Sequence, residues 1–235
     1  NAEGEVVALI QKNSDKESTS SYAIGIGYAK SLSITALSAN DFTLNTIGIK
    51  KGLPEDESQA LVYLYMSSSN LSKEEYLNLL NEFVQQYPKN SEGYSRRAVC
   101  YIGYGDDAHY ALAEKDLQTM LEVNENKGDA YYNLSKLLYN YVLGLQGAKP
   151  YGDWTMERAL KEINTALEND KQGLYYQLQG DIYFAMQKYP EAFASYEAVN
   201  RSPLASAASF YAAAKTKELI EGASKKEAIA LMDSA

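Results

Sequence analysis

Along the second half of the chain, small residues recur four positions ahead of larger apolar ones: Ala113 with Leu117, Ala159 with Ile163, Ala192 with Tyr196 and Ala228 with Met232. That spacing stacks both side chains on one helical face, and the small member lets a neighbouring helix come close. Upstream of each pair an aromatic opens another helical segment: Tyr94, Tyr131, Tyr176, and either Phe210 or Tyr211. These openings lie 37, 45 and about 35 residues apart, or about 34 with loops set aside, the scale of stacked helical hairpins. The predicted fold class is all-α.

The regular array starts near residue 56. Glu57 to Ser67 reads as a first helix through Ala60, Tyr63, Leu64 and Ser67. Ser72 and Glu75 form a capping box for KEEYLNLLNEFVQQY, and Pro88 stops that helix. In YQLQGDIYFAMQKYPEAFASYEAV, the residues Tyr176, Gly180, Tyr183, Tyr189, Ala192 and Tyr196 match the types and spacing of the tetratricopeptide repeat (TPR), and residues 56–235 resemble that family. The resemblance implies a right-handed solenoid of about five antiparallel helix pairs. Gly180 and Ala192 would be small because the two helices of a hairpin touch there. Tyr76 and Arg97 depart from the pattern, where a small and an apolar residue are usual. Two insertions interrupt the period: GYGDDAHY at Gly103–Tyr110, and YNYVLGLQGAKPYGDWT, predicted to lengthen a first helix through Leu145 before a loop over Gly147 to Asp153. The last pair looks truncated just after Met232, so the natural chain is expected to continue past Ala235.

Residues 1–55 fall outside the period and form a separate N-terminal appendage. GEVVALIQ reads as a short apolar helix before a polar break. Tyr22, Ile26, Ala29 and Leu32 follow helical spacing, and Asp41 looks like the cap of a helix ended by Gly52 and Pro54. Tyr22, Ala23, Ile24, Gly25 and Lys51, Gly52, Leu53 resemble the helical N-terminal region of exported FKBP-type prolyl isomerases. No isomerase domain follows, so that likeness implies helix pairing and a homodimer rather than isomerisation.

The net charge of −9, with no Lys/Arg run, argues against nucleic acid as a partner. One cysteine, Cys100, excludes an internal disulfide, and one histidine, His109, excludes a multi-histidine metal site. Cys100 lies in the apolar stretch VCYIGY and reads as a small core residue. No apolar run approaches a membrane span. The chain starts at Asn1, as after removal of an export or lipid-anchor signal or at a cloning boundary. Its 21 tyrosines and single cysteine lean toward the periplasm or envelope, with a cytoplasmic location as the alternative.

No sequence motif supplies a reacting group or a cofactor, so no enzyme and no cofactor are expected. Asp106, Asp107 and His109 could approach a cation, but adjacent aspartates beside glycine more often form a solvated turn. In TPR proteins one stripe of the first helices lines a concave groove. Here the resemblance places Ser95, Arg96, Val99 and Ile102, then Tyr132, Asn133, Lys136 and Tyr139, then Gln177, Asp181 and Phe184 in that groove. Arg96, Asn133 and Lys136 are only a partial set for gripping a C-terminal carboxylate, so an extended peptide or helix held by apolar anchors is favoured. Tyr151 and Trp154, in the larger insertion, either staple a helix start capped by Asp153 or present aromatic faces to a partner or sugar ring. The leading expectation is a non-enzymatic scaffold for a protein or peptide. A carbohydrate- or small-molecule-binding module and an assembly protein dimerising through its N-terminus are the alternatives.

Overall fold

Short polar side chains fix where most of the described helices begin. The computed structural model describes residues 8–12, 21–25, 52–222 and 225–233, and backbone contacts divide the chain into two units, Asn1–Gly52 and Leu53–Ala235. In the second unit ten helices are described: α1 (Glu57–Ser67), α2 (Lys73–Gln86), α3 (Ser91–Ile102), α4 (Asp107–Val123), α5 (Lys127–Gly144), α6 (Met156–Asn169), α7 (Gly173–Ala185), α8 (Tyr189–Asn200), α9 (Ala207–Glu218) and α10 (Lys225–Asp233). Asp56, Asn90, Asp106, Asn126 and Thr155 each accept a hydrogen bond from the backbone N–H three residues on, satisfying a donor that the helix leaves free. Ser72 and Glu75 close the expected capping box.

Helices pair in sequence as hairpins: α3 with α4, α5 with α6, α7 with α8, and α9 with α10, and each hairpin stacks on the next. Ala113, Leu117, Ala159, Ile163, Ala192 and Tyr196 are all buried, as their spacing requires. Gly180 shows why the period demands a small residue. A Cβ there would lie 2.6 Å from Cε1 of Tyr196 on the partner helix. The main core runs from Ala98 through Leu117, Met120, Leu134, Leu138, Trp154 and Ile163 to Tyr175, Leu178 and Ile182. A second core joins α1, α2 and α3 around Leu64, Leu80 and Phe83, with Tyr76 packed at its edge. Arg97 keeps its normally apolar place through a partner. Its guanidinium donates two bonds of 2.7 Å to the nearly buried Asp116 and one of 3.0 Å to Asn81.

α5 extends to Gly144, capped at Leu145, and the following loop turns at Gly147 and Gly152, whose φ angles of 92° and 51° suit glycine. No strand occurs among the described residues of this second unit.

The first unit departs from the all-α expectation. Ala8–Lys12 (β1) and Ser21–Gly25 (β2) pair as antiparallel strands, with Ala8 opposite Gly25 and Lys12 opposite Ser21. Helix was expected for both stretches. A short apolar run fits either period, and Ile10 and Ile24 with the glycine-rich GIG favour the extended form. Tyr22–Gly25 therefore does not supply the helix implied by the isomerase likeness. The Asp41-capped helix lies outside the described residues.

Candidate functional site

Two clefts flank α3, one against α5 and the other against the start of α2 and the turn before it. One is a groove of about 560 Å3 between α3 and α5. Its walls are Ser95, Val99 and Ile102 on α3, spaced four and three apart, and Asn133, Lys136, Leu137, Asn140, Tyr141 and Gly144 on α5. Both sets are single helical stripes. Tyr110 and Leu145 close one end. A neighbouring cleft of about 570 Å3 is lined by Leu71, Tyr76, Glu92, Arg96 and Cys100, and it shares Ser95 and Val99 with the first. Val99, 56% exposed, is thus an apolar ridge common to both.

Arg96 lies in the cleft between α2 and α3, not in the α3–α5 groove. Its Nη2 pairs with Glu92 at 2.8 Å, its guanidinium sits over the Tyr65 ring, and its buried Nε has no hydrogen-bond partner among the described residues. Lys73 is occupied, donating to the Gly103 carbonyl at 2.6 Å. Burial pushes the Cys100 thiol up, which keeps it protonated and inert, as expected of a core residue.

The expected stripe on α5 splits in two. Successive helical residues turn by about 100°. Asn133 and Lys136 therefore face α3, whereas Tyr132 and Tyr139 turn toward α7. Tyr132 stacks on the buried Tyr175 with centroids 5.1 Å apart, and Tyr175 in turn donates its hydroxyl to Asp129. Tyr132 and Tyr139 are both half-buried, and burial pushes both phenols up. On α7, Asp181 accepts from the Tyr196 hydroxyl at 2.8 Å and from Gln177 at 3.0 Å. Phe184 is exposed and packs edge-on against Tyr189. Leu137, Asn140 and Tyr141 were missed. Asn133 taken as the centre of the stripe would have found them at four, seven and eight residues on.

Of the two readings of Trp154, the structure supports the packed one and not the exposed aromatic. Its side chain is fully buried, with Tyr141, Tyr151 and Tyr110 packed around it at centroid distances of 5.0, 5.5 and 5.7 Å. Its indole N–H donates to Glu114 at 2.6 Å, and Glu114 also accepts two bonds from Arg158. Burial alone would raise the Glu114 carboxyl, but the donors Arg158 and Trp154 hold it below the ordinary glutamate range. A sugar cannot stack on this ring. The cap of α6 is Thr155 rather than Asp153, which instead pairs with Arg158 at 2.7 Å. Tyr151 is half-buried and walls a recess of about 490 Å3 with Asp107, Tyr110, Tyr141 and Lys149.

Two of the trio Asp106, Asp107 and His109 are engaged with each other at the start of α4. Asp106 caps α4 and pairs with His109 Nδ1 at 2.7 Å, and the imidazole stacks on Tyr104. Among the described residues no group of three or more His, Cys, Asp or Glu is placed to hold a metal, and no helix is long and apolar enough to cross a membrane.

No protein-family model and no curated relative matches the sequence. Solved structures do. MamA from Desulfovibrio magneticus RS-1, residues 41 to its end, is 13% identical over 76% of this chain and 93% of that one, with a TM-score of 0.54. A second MamA structure is 15% identical over 72% of this chain and 84% of that one, with a TM-score of 0.53. YrrB, a TPR protein with an unusual peptide-binding site, is 19% identical over 83% and 90% of the two chains, with a TM-score of 0.49. With its successive stacked hairpins, small residues at the crossings and the likeness to the two MamA structures, the second unit has the fold of a TPR solenoid.

Proposed function

We propose that the chain is a non-enzymatic scaffold that binds an extended peptide segment of a protein partner along its first helices. The observation that supports this is the pair of clefts meeting at Val99. Together they offer an exposed apolar ridge flanked by side chains that can bond a peptide backbone: Ser95 on one wall, Asn133 and Asn140 on the other. Amides both donate and accept, which matches the N–H and C=O groups of an extended ligand, while Val99 and Leu137 receive its apolar side chains. The proposal includes an envelope location, on the tyrosine-rich, cysteine-poor composition, and fractionation of the producing cell tests that part.

Selection from a phage-displayed library of random peptides tests the groove. The parent protein should enrich a family of sequences, and Val99→Glu should lose them while keeping its helical signal, because Val99 carries no core packing. Enrichment unaffected by Val99→Glu and by Asn140→Ala would overturn the assignment.

A further inference from the structure

Beyond the α3–α5 groove, on the other side of α5, one carboxylate lacks a counter-charge. Asp181 is part-buried on α7, facing Tyr132 and Tyr139 of α5 and Tyr196 of α8. Both of its hydrogen bonds, from the Tyr196 hydroxyl and the Gln177 amide, end on Oδ1. Oδ2 accepts none from the described residues, and the atom is not sealed off from solvent. No described Lys or Arg pairs with Asp181. Of the two lysines on the facing helix, Lys127 donates to the Leu121 and Glu122 carbonyls of α4, and Lys136 lines the other groove and sits 5.9 Å from the Tyr132 ring. The site is therefore a carboxylate fixed by two neutral donors, walled by phenol rings, with one oxygen open.

We propose that Asp181, with Tyr132 and Tyr139 opposite it, seats a basic side chain, arginine or lysine, of the bound peptide. This rests on the concave face being the partner-binding surface. A guanidinium or ammonium supplies the charge that the carboxylate lacks, in the charge-assisted geometry that is strongest away from bulk water. The electron-rich tyrosine rings favour the same ligand, as does the net charge of −9 at long range. Burial already pushes the Asp181 carboxyl above the ordinary aspartate range, which is the mark of an anion without compensation.

The probe is N-acetyl-arginine amide, titrated into the full chain carrying 13C-labelled tyrosine, with N-acetyl-citrulline amide as its uncharged isostere. The arginine compound should shift the Tyr132 and Tyr139 resonances and the citrulline compound should not. That comparison needs no variant. Asp181→Asn, which keeps an acceptor for Tyr196, should weaken the response by about tenfold or more. Equal responses to both compounds, or none, would overturn the proposal. Peptide selection separates it from the groove: selected peptides that depend on Val99 but show no basic preference, and bind Asp181→Asn unchanged, would overturn the cation seat and leave the groove standing. An arginine response with no selected peptide would keep the seat and overturn the groove.

Discussion

Trp154→Ala removes the keystone of the larger insertion, and the size of the effect follows from what the ring touches. A tryptophan buries about 150–250 Å2, worth about 4–6 kcal/mol at about 25 cal/mol per Å2. Buried Trp or Phe to Ala changes cost about 3–5 kcal/mol. Trp154 is fully buried and meets three tyrosine rings, and its N–H bond to Glu114 disappears with it. The expected loss is about 3–5 kcal/mol, read as a lower urea midpoint by far-ultraviolet circular dichroism. Trp154→Phe keeps a ring among the tyrosines and should lose only about 1.5–3 kcal/mol, the value of one hydrogen bond to a charged group. Because Trp154 is the chain's one tryptophan, parental fluorescence reports it alone. Its emission should be blue-shifted and resist acrylamide quenching. Water-like emission, or an alanine variant that unfolds at the parental urea concentration, would refute the packing argument and reopen an exposed role for the indole.

Three further outcomes are expected. Arg97→Met strands Asp116, 4% exposed, and should destabilise by about 3–5 kcal/mol, whereas Arg97→Met with Asp116→Leu should recover most of that in thermal unfolding; a double variant as unstable as the single would show that the ion pair is not the cause. Gly180→Ala should lower the melting temperature although alanine is the better helix former, because crowding Tyr196 at about 1–3 kcal/mol outweighs a propensity gain of about 1 kcal/mol; a rise would mean that the ring yields freely. The Glu114 carboxyl, held down by Arg158 and Trp154 against the effect of burial, contributes stability that is present above the unfolded pKa of about 4.3 and lost as pH falls through its lower folded value. Glu114→Gln should flatten that acid limb, while Asp181, raised by burial, acts with the opposite sign and loses its contribution as pH rises through its folded value.

What the sequence disclosed was local. The Ala113–Leu117 and Ala192–Tyr196 pairs, the Ser72–Glu75 box and the long α5 each depend on residues a few positions apart, so periodicity and capping rules reach them. Contacts between distant segments were hidden. Nothing near Arg97 in sequence announces Asp116, 19 residues on, and nothing near Trp154 announces Glu114, 40 residues back. The stripe expected on α5 divides between two faces, because Tyr132 and Asn133 are neighbours in sequence and only the positions of α3 and α7 decide which face each takes. In the N-terminal unit the short apolar runs fit two periods, and pairing between β1 and β2 settled the choice.

The most direct test of the central claim is a photo-crosslinking residue placed at Asn140, on the groove stripe of α5, and in a second variant at Glu168, exposed on α6. With a peptide selected on the parent protein, the account predicts a crosslinked product at position 140 and none at 168. A product at 168 with none at 140 would contradict binding along the first helices.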